Sequence, residues 1–99
     1  MKCDEYVLSR AVAQYGDQQL VKACEELGEL TQALCKLYLG GDWSEAAVDH
    51  AVEEIADVEI MLGQVRMILE VDPVREAAWR QRKLQRLAER LAERLGPEE

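Results

Sequence analysis

Several residue types and patterns are scarce in this sequence. It has no phenylalanine or asparagine, and only two of its 99 residues are proline. No apolar run approaches the roughly 20 residues of a membrane span, and residues 1–5 lack the form of a signal peptide. Acidic residues outnumber basic ones by 20 to 12, which argues against general nucleic-acid or anionic-membrane binding. We therefore expect a cytoplasmic protein that binds neither nucleic acid nor membrane.

Cysteine is present but not in a pattern that indicates a site. Cys3, Cys24 and Cys35 are odd in number and show neither a C-x-x-C motif nor zinc-site spacing. We interpret them as reduced thiols that serve packing. A length of 99 residues allows one domain spanning 1–99, and a chain this short buries only about 60–65% of its unfolded surface.

Turn-forming residues divide the chain into four amphipathic segments. In the second segment, apolar residues recur at spacings of three and four from Leu20 to Leu37, and in the third from Ile55 to Leu69. No segment alternates apolar and polar residues for long enough to form a strand. We expect helices over residues 4–15, 18–39, 44–70 and 73–95. The sequence thus predicts an all-α, four-helix chain that packs into an oligomeric helical bundle, because the apolar stripes exceed what one chain can bury.

Acidic residues are concentrated in the first part of the chain. Residues 1–70 contain 14 acidic and five basic residues, whereas residues 71–99 contain six and seven. Two acidic clusters lie on the second and third helices. Glu26 is in register with the apolar Leu30, and Glu54 with Val58, so both carboxylates lie at the edge of a core-facing stripe.

Two facing antiparallel helices would bring Glu26 and Glu29 close to Glu54 and Asp57. Four carboxylates at short range repel one another, and burial strengthens the repulsion. Proton uptake or bound divalent cations relieve it. A set of oxygen donors with no nearby His or Cys favours Mg²⁺ or Mn²⁺ over zinc.

Two other interpretations of these acids remain. They are ordinary exposed residues, paired with Lys22 or Lys36, or they belong to a di-iron carboxylate bundle. A di-iron bundle normally needs two Glu-x-x-His pairs. The single histidine, His50, occupies no such position, and we expect it at the surface near the start of the third helix.

Residues 22–30 and 54–58 carry an E-x-x-E and an E-x-x-D motif, with 24 residues between Glu29 and Glu54. This paired motif resembles the signature of the MazG-like all-α nucleoside triphosphate pyrophosphohydrolases. The tract at 13–20 is also similar to short phage-type members, and the resemblance covers roughly residues 10–88.

The resemblance implies a hydrolase that converts (d)NTP to (d)NMP and pyrophosphate with Mg²⁺ as cofactor, or Mn²⁺ in its place. Glu25 is the candidate base for the attacking water. Glu53 is an acid beside the ligands. The implied metal ligands are Glu26, Glu29, Glu54 and Asp57.

Basic residues of the fourth helix are the candidates for phosphate binding. Related enzymes place Lys and Arg after the second acidic motif to bind the β- and γ-phosphates, and Lys83 and Arg86 match that placement. Lys22, one turn before Glu26, is either a further phosphate contact or a plain salt-bridge partner. Such enzymes often add an Asn that contacts the nucleotide, and this chain has none.

The family's members are dimers or dimer-built tetramers, which implies a homodimer or a dimer of dimers here. The expected contact joins the second and third helices of two subunits. The alternative function is a non-catalytic helical oligomerisation or regulatory module, which keeps the bundle without hydrolysis.

Overall fold

The computed structural model describes residues 3–95 and the side chains of residues 4–94. Over this range the chain is all-α, with four helices and no strand. The prediction of an all-α chain with four helices is confirmed, and the predicted boundaries agree to within two residues. The helices are α1 (Cys3–Tyr15), α2 (Gln18–Tyr38), α3 (Glu45–Ile68) and α4 (Pro73–Leu95).

Local sequence signals account for the breaks between helices. Gly16 has a φ of 65° and ends α1, a backbone conformation that favours glycine. The hydroxyl of Ser44 accepts a hydrogen bond from the backbone N–H of Ala47 at 3.2 Å and caps α3. At the start of α4, the Asp72 carboxylate accepts from the N–H of Val74 at 2.9 Å, and Pro73 takes the first helical position.

Helices α2 and α3 form an antiparallel hairpin. Ala33 and Leu37, near the end of α2, are buried with Ala47 and Ala51, near the start of α3. Small side chains allow the two helices to approach closely over this stretch. Helix α1 packs mainly on the far end of α3, where a Cβ at Gly63 would lie 2.6 Å from Leu8 Cδ1.

Polar groups share the buried interior with these small apolar residues. Gln64 is 3% exposed, and its carbonyl accepts a hydrogen bond from the Gln19 amide at 2.8 Å. Glu26 and Glu54 are buried as well. The hairpin therefore encloses two carboxylates in a core that is otherwise made largely of small residues.

Larger apolar side chains of the hairpin lie outside this core. At about 100° per residue, they fall about a quarter-turn from the buried line, on the same side of both helices. We call this surface the apolar face. It consists of Leu27, Leu34, Tyr38, Val48, Val52 and Ile55, which are 39–79% exposed.

Over the described residues, helix α4 extends away from the other three, and its first turns lie near the end of α3. All of its described side chains are exposed, including Leu84, Leu87 and Leu91. One ion pair joins it to α3, in which Arg66 Nε donates to the Glu76 carboxylate oxygens at 3.0 and 3.1 Å. A single chain thus leaves the leucines of α4 without an apolar partner.

The cysteines differ from expectation. Cys24 and Cys35 are free thiols, but both are exposed, so the prediction that they pack in the interior is wrong for these two. The Cys3 side chain lies outside the described residues. Among the four helices of the described range, none is both long enough and apolar enough to cross a bilayer.

Candidate metal centre

Three carboxylates from two helices converge at the middle of the hairpin. Glu26 and Glu29 are three apart on α2 and share one side of that helix. Glu54 faces them from α3. Each residue offers a carboxylate oxygen, and these oxygens all lie within 4.8 Å of one another. Antiparallel pairing therefore brings together three of the four predicted metal ligands.

Two of these carboxylates are buried with an oxygen that has no hydrogen-bond partner. Glu54 is 4% exposed and Glu26 is 9% exposed. The Oε2 atom of each is buried and unpaired. Buried polar atoms in proteins are almost always hydrogen-bonded, because an unpaired one loses its water without replacement. This pair of atoms indicates a site that takes up a proton or a cation.

The pKa of Glu54 is raised in this environment. Burial raises it above the usual 4.5, and the charges of Glu29, Asp57 and Glu26 raise it further. His50 acts in the opposite direction and lowers the pKa. Divalent cations compete with the proton at such a group, since both relieve the same repulsion.

Lys22 lies beside this cluster as the nearest basic partner of Glu26. Its Nζ lies 3.3 Å from Glu26 Oε1 and 3.6 Å from Glu25 Oε2. A hydrogen bond with Glu26 is the largest cause of a raised pKa at Lys22. The salt bridge foreseen between Lys22 and the acids therefore forms, yet it leaves Oε2 of Glu26 unpaired.

The remaining predicted acids lie around the three convergent ones. Asp57 is half-buried one turn after Glu54 and outside the group of three. Its charge still reaches Glu54, whose pKa it raises. Glu25 and Glu53 are exposed. We call the surface formed by Lys22, Glu25, Glu26, Glu29, Lys36, His50, Glu53, Glu54 and Asp57 the acidic face; it lies on the opposite side of the hairpin from the apolar face.

The predicted phosphate-binding pair is not brought to the acidic face within this chain. Lys83 and Arg86 are exposed on α4, beyond the first turns of that helix, which lie near the end of α3. Only another copy of the chain, or a movement of α4, would bring these two side chains to the carboxylates.

Two residues of this region were missed by the sequence analysis as members of the site. His50 is at the surface as predicted, with a side chain 54% exposed, but its Nε2 lies 3.7 Å from Glu54 Oε1. Lys36 lines the same cleft as Glu29 and Glu54. Helical spacing offered both signals, because His50 precedes Glu54 by four residues and Lys36 follows Glu29 by seven.

Two of the three convergent carboxylates open onto a cleft with a volume of about 430 Å³. Its lining consists of Glu29, Gln32, Ala33, Lys36, His50 and Glu54. Cavities of about 510 and 550 Å³ lie elsewhere, where the end of α3 meets α4. We assign the candidate site to the smaller cleft, because it alone among these three is lined by convergent carboxylates, those of Glu29 and Glu54.

No protein-family model, curated protein or solved structure matches this chain.

Proposed function

We propose that this protein is a Mg²⁺-dependent nucleoside triphosphate pyrophosphohydrolase. The observation that carries the proposal is the pair of buried, unpaired oxygens, Oε2 of Glu26 and Oε2 of Glu54, in a three-carboxylate group. The resemblance of residues 22–30 and 54–58 to the MazG-like signature supplies the reaction. A catalytic metal site explains why the core retains charge that small apolar residues would avoid.

The donor set fits a hard divalent cation. Glu26, Glu29 and Glu54 offer carboxylate oxygens, the ligands that Mg²⁺ and Mn²⁺ prefer. Asp57, one turn after Glu54, is the fourth proposed ligand. When bound, the ion polarises the α-phosphate and lowers the pKa of bound water.

Substrate binding is assigned to the basic residues that flank the acids. A triphosphate carries about four negative charges, so carboxylates repel it unless cations intervene. Lys22 and Lys36 lie on the same side of α2 as Glu29, before and after it. We propose that they hold the polyphosphate, with Lys83 and Arg86 supplied by a second copy of the chain.

The reaction breaks the bond between the α-phosphorus and the oxygen that bridges it to the β-phosphate. Water attacks the α-phosphorus, and pyrophosphate leaves with the bridging oxygen. Glu25 is the proposed base that takes the proton of this water, because its carboxylate is exposed and adjacent to Glu26. Glu53 supports Asp57 from the preceding turn of α3.

The apolar face supports a homodimer. Six large side chains on α2 and α3 are 39–79% exposed in one chain, and a contiguous apolar surface of this kind marks an interaction site. We propose that two hairpins pair through this face. Leu84, Leu87 and Leu91 of α4 would then supply the second contact of a dimer of dimers.

The apolar face also favours a second candidate function, that of a non-catalytic oligomerisation module. A non-catalytic oligomerisation module needs the apolar face but gains nothing from unpaired carboxylates in its core. Substitutions separate the two functions, since only the enzyme depends on the acidic face.

The direct test is pyrophosphate release from a panel of canonical and modified dNTPs and NTPs with Mg²⁺ or Mn²⁺. We expect Glu54→Gln to reduce turnover by at least about 100-fold, since loss of even an outer-shell partner costs 10–100-fold at metal sites. Glu59→Gln on the same helix is the matched control, because Glu59 is exposed and outside the carboxylate group. If the wild-type protein cleaves no nucleotide with either ion, the catalytic proposal is wrong.

A further inference from the structure

His50 and Glu54 lie on the same side of α3, one helical turn apart. The imidazole Nε2 lies 3.7 Å from Glu54 Oε1. Glu53 completes a second group, in which one donor atom from each of the three residues lies within 4.8 Å of the others. Spacings of three and four residues on a helix produce this convergence.

The separation of the donors matches a shared ion. Ligand atoms about 2.0–2.2 Å from one metal lie roughly 3–4 Å from each other. The 3.7 Å between His50 Nε2 and Glu54 Oε1 falls within that range. Glu54 is only 4% exposed. Its second oxygen, Oε2, has no hydrogen-bond partner.

Glu54 belongs to both groups of potential ligands. One group contains the three carboxylates of Glu26, Glu29 and Glu54, and the other contains His50, Glu53 and Glu54. A carboxylate has two oxygens and can serve two ions at once. The geometry therefore offers two neighbouring positions that differ in donor type, one with oxygen only and one with a nitrogen.

We propose that His50, Glu53 and Glu54 form a second divalent-metal position, which shares Glu54 with the carboxylate site and prefers a transition-metal ion to Mg²⁺. This inference rests on the metal site of the proposed function and adds to it a ligand that the oxygen-only set lacks. Mg²⁺ takes oxygen ligands and dehydrates reluctantly, whereas imidazole suits first-row transition ions.

A simple ion pair between protonated His50 and Glu54 is the alternative use of the same contact. It predicts a different response to substitution. Replacement of His50 by neutral Gln would then remove a positive charge without removing a ligand, and every divalent cation would be affected alike. A metal ligand instead makes the effect depend on the ion.

The experiment compares Co²⁺ and Mg²⁺ binding to wild-type protein and His50→Gln by calorimetry at one fixed pH, without a histidine tag. All proteins carry serine in place of Cys3, Cys24 and Cys35, because thiolates also bind Co²⁺. His50 is the single histidine, so imidazole features in the spectrum of bound Co²⁺ belong to it. Asp49→Asn, next to His50, controls for a change in local charge.

We expect His50→Gln to weaken Co²⁺ binding by about tenfold or more while Mg²⁺ affinity changes less than twofold. Equal changes for both ions, or no change for either, would overturn the inference. Loss of Co²⁺ preference in His50→Gln, together with Mg²⁺-dependent hydrolysis by the wild-type protein, supports both the inference and the proposed function. Selective Co²⁺ binding through His50 without nucleotide hydrolysis supports this inference and contradicts the proposed reaction.

Discussion

The acidic face and the apolar face lie on opposite sides of the same α2–α3 hairpin, and each leaves different groups unsatisfied. On the acidic face, Glu26 and Glu54 bury oxygens that have no partner. On the apolar face, Val52 and Ile55 are about half exposed to water. We propose that a cation completes the first face and that a second copy of the chain covers the second. A single chain thus carries two incomplete surfaces, which substitutions can test separately.

The largest expected effect comes from placing a charge on the apolar face. Ile55→Glu puts a carboxylate where we propose that a second copy packs, and full burial of an isoleucine contributes about 1.5–3 kcal/mol. We expect the assembly to dissociate toward the 11.2 kDa chain and to lose stability. Sedimentation and urea denaturation measure the two effects.

Gln14→Glu is the control for this substitution. It adds the same charge on the exposed surface of α1, away from the apolar face. An assembly that resists Ile55→Glu as well as it resists Gln14→Glu would show that the apolar face is not the contact between copies.

A substitution on the acidic face is expected to change stability less than Ile55→Glu does, and to raise it instead of lowering it. The pKa of Glu54 is raised above 4.5, chiefly by burial, so the folded state binds this proton more tightly than the unfolded chain. Stability is then lost as the pH rises through the folded pKa, and the loss is absent below the unfolded pKa. We expect metal-free Glu54→Gln to be more stable than the wild type at pH 7, with the advantage disappearing below about pH 4.5.

Urea denaturation in a chelator, at several pH values, measures this difference. Glu59→Gln should follow the wild-type curve, because it removes the same charge away from the carboxylates. A Glu54→Gln protein that is less stable than the wild type at pH 7 would mean that the charge of Glu54 is compensated in the metal-free fold.

The smallest expected effect is a change in Mg²⁺ affinity on replacement of Lys22, whose Nζ lies 3.3 Å from Glu26 Oε1. Its removal leaves the carboxylates more negative, so we expect Lys22→Gln to bind Mg²⁺ about two- to fivefold more tightly, the scale of an exposed charge pair. If Lys22 also contacts phosphate, KM for the nucleotide rises while kcat is unchanged. Steady-state kinetics at saturating Mg²⁺ separate the salt-bridge role, which leaves KM unchanged, from the phosphate-binding role.

The helix boundaries and the positions of the acidic residues on the helices were predictable from the sequence, because both depend on local spacing. Gly16 and Pro73 mark helix boundaries through their own backbone preferences. The registers of Glu26 and Glu54 with apolar neighbours placed both at the edge of the core-facing stripe, and the structure buries both. Their convergence then followed from the antiparallel pairing of two helices joined by a short loop.

Which apolar stripe is buried was not predictable in the same way. Helix α2 has apolar residues on more than one side, and the predicted stripe from Leu20 to Leu37 includes Leu27 and Leu34, which are exposed. The structure instead buries Ala23 and Ala33, because small residues allow α3 to approach closely. His50 lies at the surface as predicted, but its spacing of four residues to Glu54 was not used to place it beside the carboxylates.

The most direct test of the account is a melting curve of the wild-type protein in chelator and in Mg²⁺, beside Glu54→Gln and Glu59→Gln. At a Mg²⁺ concentration 100 times its Kd, binding stabilises the folded state by about 2.7 kcal/mol, which corresponds to a rise in Tm of about 10 °C or more for a chain of this size. We predict that rise for the wild type and for Glu59→Gln, and its loss in Glu54→Gln. A wild-type Tm that is the same in chelator and in Mg²⁺ would contradict the assignment of the acidic face as a metal site.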